Sequence, residues 1–247
     1  MHAKKVGDQH LKKAIDEFDA AIRLNPENAN AFFSMGLAYF IWDQAERSIK
    51  DFDEAIRLNP KYAKAYFARG NAYCGLEQVE QGIQDYDEAI RLNPKDAVTY
   101  FYRGHAYCDL AQFKRGIQDY DEAIRLKPDS AVAYFTRGEV HYLIGWYEHA
   151  IIDFNGVIRL EPEKAIGYLY RGRAYCRLSK FEWGIKNLDK AINLEPDNAI
   201  SYRYRGQAYK EQGKKVEAIA DFEKFIALTD NPNEQFVVKI EIEELSK

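Results

Sequence analysis

Ala55-Ile56-Arg57-Leu58-Asn59-Pro60 returns unchanged at residues 89–94, and with one substitution as Ala123-Ile124-Arg125-Leu126-Lys127-Pro128. The closing proline marks a period that runs along the chain. Pro26, Pro60, Pro94, Pro128, Pro162 and Pro196 stand 34 residues apart without a slip. Gly36, Gly70, Gly104, Gly138, Gly172 and Gly206 hold a second register of the same length. Self-similarity at such a period points to an architecture of stacked repeats rather than a globular domain.

Each period reads as two helices. In residues 63–96 the first passes through Tyr66, Gly70 and Tyr73 at helical spacing. The second passes through Ile83, Tyr86, Ala89 and Ile90 and stops at Leu92-Asn93-Pro94. Proline ends it because it has no N–H to donate and disfavours helix in the residue before it. A glycine inside a helix costs about 1 kcal/mol against alanine. Its recurrence on one helix, facing Gly82, Gly116, Ala150, Gly184 and Ala218 on the other, therefore implies two backbones that approach closely.

This pattern resembles the tetratricopeptide repeat, in which an aromatic, Leu-Gly, Tyr, Ala, Phe, Ala and Pro follow one another at set places. Residues 29–62 supply Phe32, Met35-Gly36, Tyr39, Ser48, Phe52, Ala55 and Pro60; residues 97–130 supply Tyr100, Arg103-Gly104, Tyr107, Gly116, Tyr120, Ala123 and Pro128. The resemblance implies an all-α chain, a right-handed α-solenoid of helix-turn-helix units. Its full repeats are read at 29–62, 63–96, 97–130, 131–164, 165–198 and 199–232. Residues 1–28 match only the second helix of a repeat (Ala14, Phe18, Ala21, Pro26). At the other end Phe225 and Asp230 break the pattern, and residues 233–247 read as an amphipathic capping helix bearing Phe236, Val237, Ile240 and Leu245.

Composition narrows the function. A net charge of −4 argues against a general nucleic-acid binder, which carries a basic excess. No apolar run is long enough for a membrane span, and the stretch from Met1 to Val6 lacks the apolar core of a signal peptide. A cytoplasmic location is the resulting expectation.

Cys74, Cys108 and Cys176 recur at one place in their repeats, about 10 Å apart for neighbouring packed helices. That exceeds disulfide reach, so free thiols are expected. His105, Cys108 and Cys74 offer metal-ligating side chains in register, but a fourth converging ligand is missing. The same group with Asp109 has no oxyanion element to make a Cys-His nucleophile. No phosphate-binding glycine loop is present. No catalytic, cofactor or metal residue is assigned.

Two rows of charge recur: Arg69, Arg103, Arg137, Arg171 and Arg205 on the first helices, and Asp51, Asp85, Asp119, Asp153 and Asp221 on the second, with Asn187 interrupting. Ionic ties within or between repeats are the preferred reading; the other is a row of arginines offered to phosphate or carboxylate.

The resemblance further implies that the first helices line a concave groove, through the second, fifth, ninth, twelfth and thirteenth places of each repeat. These places include Phe33, Leu37, Phe40, Phe67, Asn71, Phe101, His105, Phe135, Glu139, Tyr142, Leu169, Arg173, Arg203 and Lys210. An apolar ladder thus gives way to a basic end with Arg173, Arg177, Arg203 and Lys210. An exposed apolar stripe marks an interaction surface, unless the phenylalanines pack within the array. The Lys-Asn pattern of chaperone-tail carboxylate clamps is absent at these places, as is an asparagine ladder at the sixth. The expectation is a non-enzymatic scaffold for a partner protein or peptide with an apolar anchor and an acidic stretch. A self-assembling homo-oligomer, or the regulatory region of a longer enzyme, remains as the alternative.

Overall fold

A computed structural model describes residues 2–247, with side chains from Gln9 onward. Among the described residues there are fourteen helices and no strand. They form two compact units, which meet in the chain at Pro128 and Asp129. The first unit contains α1 (His2–Leu24), α2 (Ala29–Ile41), α3 (Ala45–Leu58), α4 (Ala63–Gly75), α5 (Val79–Leu92), α6 (Ala97–Asp109) and α7 (Phe113–Leu126). The second contains α8 (Ala131–Leu143), α9 (Tyr147–Leu160), α10 (Ala165–Arg177), α11 (Phe181–Leu194), α12 (Ala199–Glu211), α13 (Lys215–Leu228) and α14 (Pro232–Leu245). Within each unit every helix packs on the next in the chain, and alternate first helices touch (α2 with α4, α4 with α6, α10 with α12).

Glycine sets the spacing inside each helix pair. A Cβ on Gly70 would come within 2.8 Å of the Tyr86 ring, and one on Gly138 within 2.8 Å of Phe154. The same place on the second helix holds Phe52, Tyr86, Tyr120, Phe154, Leu188 and Phe222, all essentially without solvent contact. These side chains are the core, one per repeat, each worth about 1.5–3 kcal/mol of burial.

The turn joining the two helices of a repeat relies on a left-handed residue. Asp43, Glu77, Ala111, Gly145, Ser179 and Gly213 all have positive φ. The next N–H then reaches back to a carbonyl of the first helix, as Gln44 does to Tyr39 at 2.9 Å and Gln112 to Tyr107 at 2.8 Å. This is the glycine-favouring helix stop, yet only two of the six positions carry glycine. Elsewhere Asn28, Asp96, Ser130 and Asn198 cap the first helices with a side-chain oxygen.

The arginine row is structural. Arg69 donates two bonds to Asp85 of its own repeat (2.8 and 2.6 Å) and one to Asp53 of the preceding repeat (2.5 Å). Arg103 holds Asp119 and Asp87 in the same way, and Arg205 holds Asp221 and Asp189. Arg137 is bonded to Asp153, which also meets His141 Nδ1 at 2.8 Å. Arg171 finds the neutral Asn187 and Asn155 instead. Burial by itself pulls Arg69 and Arg103 down, but their carboxylate bonds overcome it and raise both; Arg171, desolvated without a countercharge, stays lowered. The second acidic row, Asp53, Asp87 and Asp189, belongs to the ties as much as the row read from the sequence. In the first repeat Met35 stands where the arginine would be, and burial pushes Asp51 up to about 6.

Candidate functional site

The phenylalanines read as a groove ladder are not an exposed stripe. In the first unit Phe33 lies 5.9 Å from the Phe52 ring and 4.9 Å from Tyr62. Phe67 packs on Tyr86 and Tyr102, and Phe101 on Tyr120, Tyr102 and His105. Each ring is half-buried because the glycine-tight helix pair brings the core aromatic of the second helix directly beneath it. Leu37 rests half-buried on the Phe52 cluster, and Asn71 accepts the Tyr86 hydroxyl at 2.6 Å. What this face of the first unit leaves open is Phe40, Ile41, Tyr102 and His105. Among the described residues no group of three His, Cys, Asp or Glu side chains is placed to hold a metal.

In the second unit Phe135 is pinned between Phe154 and Tyr170. Leu169, read as a groove residue, is in fact core, with 4% of its surface exposed. Leu188 replaces the usual ring beneath it, and the smaller side chain lets Leu169 sink against it. Arg203 and Lys210, read as free basic groups, already share a carboxylate. Glu241 of α14 accepts from Arg203 at 2.6 Å and lies 3.7 Å from Lys210 Nζ. The helix continues the repeat register as a first helix would, which brings Glu241 to the ninth place and turns it toward them. Val238 of the same helix is buried against Phe222 and Phe225.

Arg173 stands apart. Its guanidinium carbon lies 5.0, 4.7 and 4.3 Å from the ring centres of Tyr142, Tyr170 and Tyr204. One turn on, Arg177 lies over Tyr147 and donates from Nε to its hydroxyl at 3.0 Å. Glu139 is half-buried beside Tyr170. Burial raises the Tyr142 and Tyr170 hydroxyls, with Glu139 adding to the rise at Tyr170 and Arg173 opposing it at both. A cavity of about 530 Å³ opens here, lined by Tyr142, Arg173, Cys176, Arg177, Tyr204 and Lys210 among others. A smaller one of about 390 Å³ lies between Arg203, Phe225, Val237 and Val238. The tyrosines at the sixth place that form the cage, Tyr170 and Tyr204, escaped the sequence reading. Their signal was the row itself, Tyr102, Tyr170 and Tyr204, beside an arginine at the ninth place.

The cysteines, at a groove place by count, turn out to be packing groups. Wherever the twelfth residue is cysteine, the residue facing it on the second helix is glycine: Cys74 with Gly82, Cys108 with Gly116, Cys176 with Gly184. A Cβ on any of these glycines would collide with the sulfur. Where the twelfth residue is Phe40, Tyr142 or Lys210, the facing residue is Ser48, Ala150 or Ala218. All three thiols are free, and burial pushes Cys176 up to about 11.

The repeat geometry agrees with what comparison of the sequence with protein families finds. A profile described as TPR repeat matches residues 9–40, 44–76, 70–110, 104–145 and 172–213, and one described as tetratricopeptide repeat matches 131–164 and 205–232. The chain belongs to the tetratricopeptide-repeat family. Among solved structures, this tetratricopeptide-repeat protein is similar to the C-terminal part of a TPR repeat-containing protein from Cytophaga hutchinsonii, at 19% identity over 93% of this chain and 97% of that one, with a TM-score of 0.78. It is also similar to YrrB, described as a TPR protein with an unusual peptide-binding site, at 24% identity over 74% of this chain and 95% of that one, TM-score 0.65. A third is MamA from Desulfovibrio magneticus RS-1, at 23% identity over 68% of this chain and 97% of that one, TM-score 0.64. At these identities the likeness is one of fold. No curated protein matches the sequence. Tetratricopeptide repeats serve as scaffolds for protein interaction, and among the described residues no helix is long and apolar enough to cross a membrane.

Proposed function

We propose that this protein is a non-enzymatic scaffold that holds a peptide or helix of a partner protein on the face of its first helices. The observation that carries the reading is the open cavity between α8, α10 and α12, lined by aromatic rings and basic groups. Clefts of a few hundred Å³ with apolar walls and a few convergent polar groups are where ligands seat. Phe40, Tyr102 and His105 offer a second, more apolar surface on the first unit. The peptide-binding site named for YrrB supports the same use of the fold.

A photo-crosslinking amino acid at Tyr142 tests this, with the same group at Trp183, an exposed residue of α11 outside that cavity, as the control. Discrete protein adducts from position 142 and none from 183 are expected in lysate of the source cells. Adducts only from 183, or none from either, would overturn the reading.

A second reading, self-assembly, is favoured by Phe236, Val237 and Ile240, exposed together on α14. Light scattering across a concentration series decides between monomer and assembly.

A further inference from the structure

Among the described residues of the first helices, the half-buried arginine of the second unit's cavity is set apart. Elsewhere the half-buried first-helix arginines are matched: Arg69, Arg103, Arg203 and Arg205 each pair with a carboxylate. Even Arg171 has its bonds filled by two asparagine oxygens. Among the described residues, no carboxylate lies within ion-pair distance of Arg173 or Arg177. The neighbours of Arg173 are the faces of three tyrosines, which hold a cation in place without neutralising it. Its Nε–H is buried and makes no hydrogen bond. Arg177, four residues along the same helix face, has only the neutral Tyr147 hydroxyl. Like charges at that spacing repel, and a buried donor left unmade is unfavourable. An anion between them would relieve both.

The other charges near the wall are mixed. Glu211 also lines the wall and Glu139 lies beside Tyr170; Lys210 is a third cation, 3.7 Å from Glu241, which accepts from Arg203 at 2.6 Å. That pairing is also a precedent: a glutamate carried on a packed helix satisfies basic groups on α12. We infer that this cavity is a carboxylate subsite, taking an Asp or Glu side chain of the bound segment between Arg173 and Arg177 while the segment's apolar neighbours lie on Tyr142 and Tyr204. The inference rests on reading the first-helix face as the binding face. The cage fixes the guanidinium in advance, so binding loses little side-chain freedom. A planar guanidinium with a free N–H prefers a carboxylate or phosphate oxygen, and the tyrosine walls add the preference for a peptide side chain over a bare ion.

The 247-residue chain, labelled with ¹⁵N at arginine, is titrated with acetylated and amidated hexaglutamate, with the matching hexaglutamine and with inorganic phosphate. The Arg173 Nε–H resonance is expected to shift saturably with hexaglutamate, weakly with phosphate and not with hexaglutamine. R173Q and R177Q should each weaken hexaglutamate binding about tenfold. R173K, which keeps charge but loses the fork, should fall between, and R177Q guards against misfolding because its side chain is exposed. Equal binding by R177Q and the parent, equal shifts with hexaglutamine, or no shift up to about 1 mM peptide overturns the subsite. Phosphate matching hexaglutamate would show an anion site without peptide preference and also overturn it. If the subsite fails while position 142 still crosslinks a protein, the scaffold reading survives on its own.

Discussion

Arg171 donates from Nε to Asn187 Oδ1 at 2.7 Å, at the place where Arg69, Arg103 and Arg205 meet an aspartate. The protein therefore contains its own control for the ionic ties. R69M strands Asp85, which is nearly buried, and is expected to cost about 3 kcal/mol. R171M leaves only neutral amides and should cost about 1 kcal/mol. Urea midpoints of the two variants check the difference, and equal losses would mean that the charge contributes little.

Asp51 gives the chain a pH dependence of known sign. Its folded value, about 6, lies above the ordinary 3.8, so the native state binds the extra proton in that window. The corresponding stability is complete below the ordinary value and is lost as pH rises through 6. D51N is expected to match the parent near pH 4 and to exceed it by about 1 kcal/mol near pH 8, after discounting for partial exposure. A constant offset across that range would rule out the desolvated carboxylate as the cause.

Ala111 holds a left-handed φ of 55° that glycine adopts freely. A111G should raise stability by about 0.5 kcal/mol, the strain relieved less the extra freedom of the unfolded chain. A lower melting temperature would count against strain at that turn.

Cys176 and Gly184 are coupled by space. G184A alone is expected to cost about 2 kcal/mol through overpacking. In the C176A/G184A pair much of that cost should return, because Ala150 and Ala218 occupy the same place elsewhere. Additive losses would mean that the clash lies with the Gly172 carbonyl, 3.1 Å from the added methyl, rather than with the sulfur.

Glu241 ties α14 to the last repeat through Arg203 and Lys210. E241Q should speed amide hydrogen exchange in α14 about tenfold, leaving α8 to α11 unchanged. Unchanged α14 exchange would show that the apolar contact of Val238 holds the helix alone.

The fold was legible because it is written as a period: proline stops and close-packing glycines are local signals repeated in register. The binding surface was harder. Phe33, Phe67 and Phe101 occupy places that count as groove positions, but how deep a ring sits depends on the side chain beneath it, Phe52, Tyr86 or Tyr120, on another helix. Leu169 shows the same dependence, since only its pairing with Leu188 makes it core. Arg203 and Lys210 look free until the carboxylate of Glu241 is placed 31 to 38 residues along the chain. The left-handed turn was invisible for a different reason: Glu77, Ala111 and Ser179 are not residues that announce positive φ.

The sulfur-and-notch pairing gives the molecule a set of internal gauges. Each of Cys74, Cys108 and Cys176 reports on one helix pair, since its half-buried side chain lies against the glycine opposite and gains further access when that glycine moves away. With protonated, raised-pKa thiols, modification is slow in the closed state. Mass-resolved alkylation of the unaltered chain would therefore time the breathing of its second, third and fifth repeats separately, and show which of them a bound partner clamps shut.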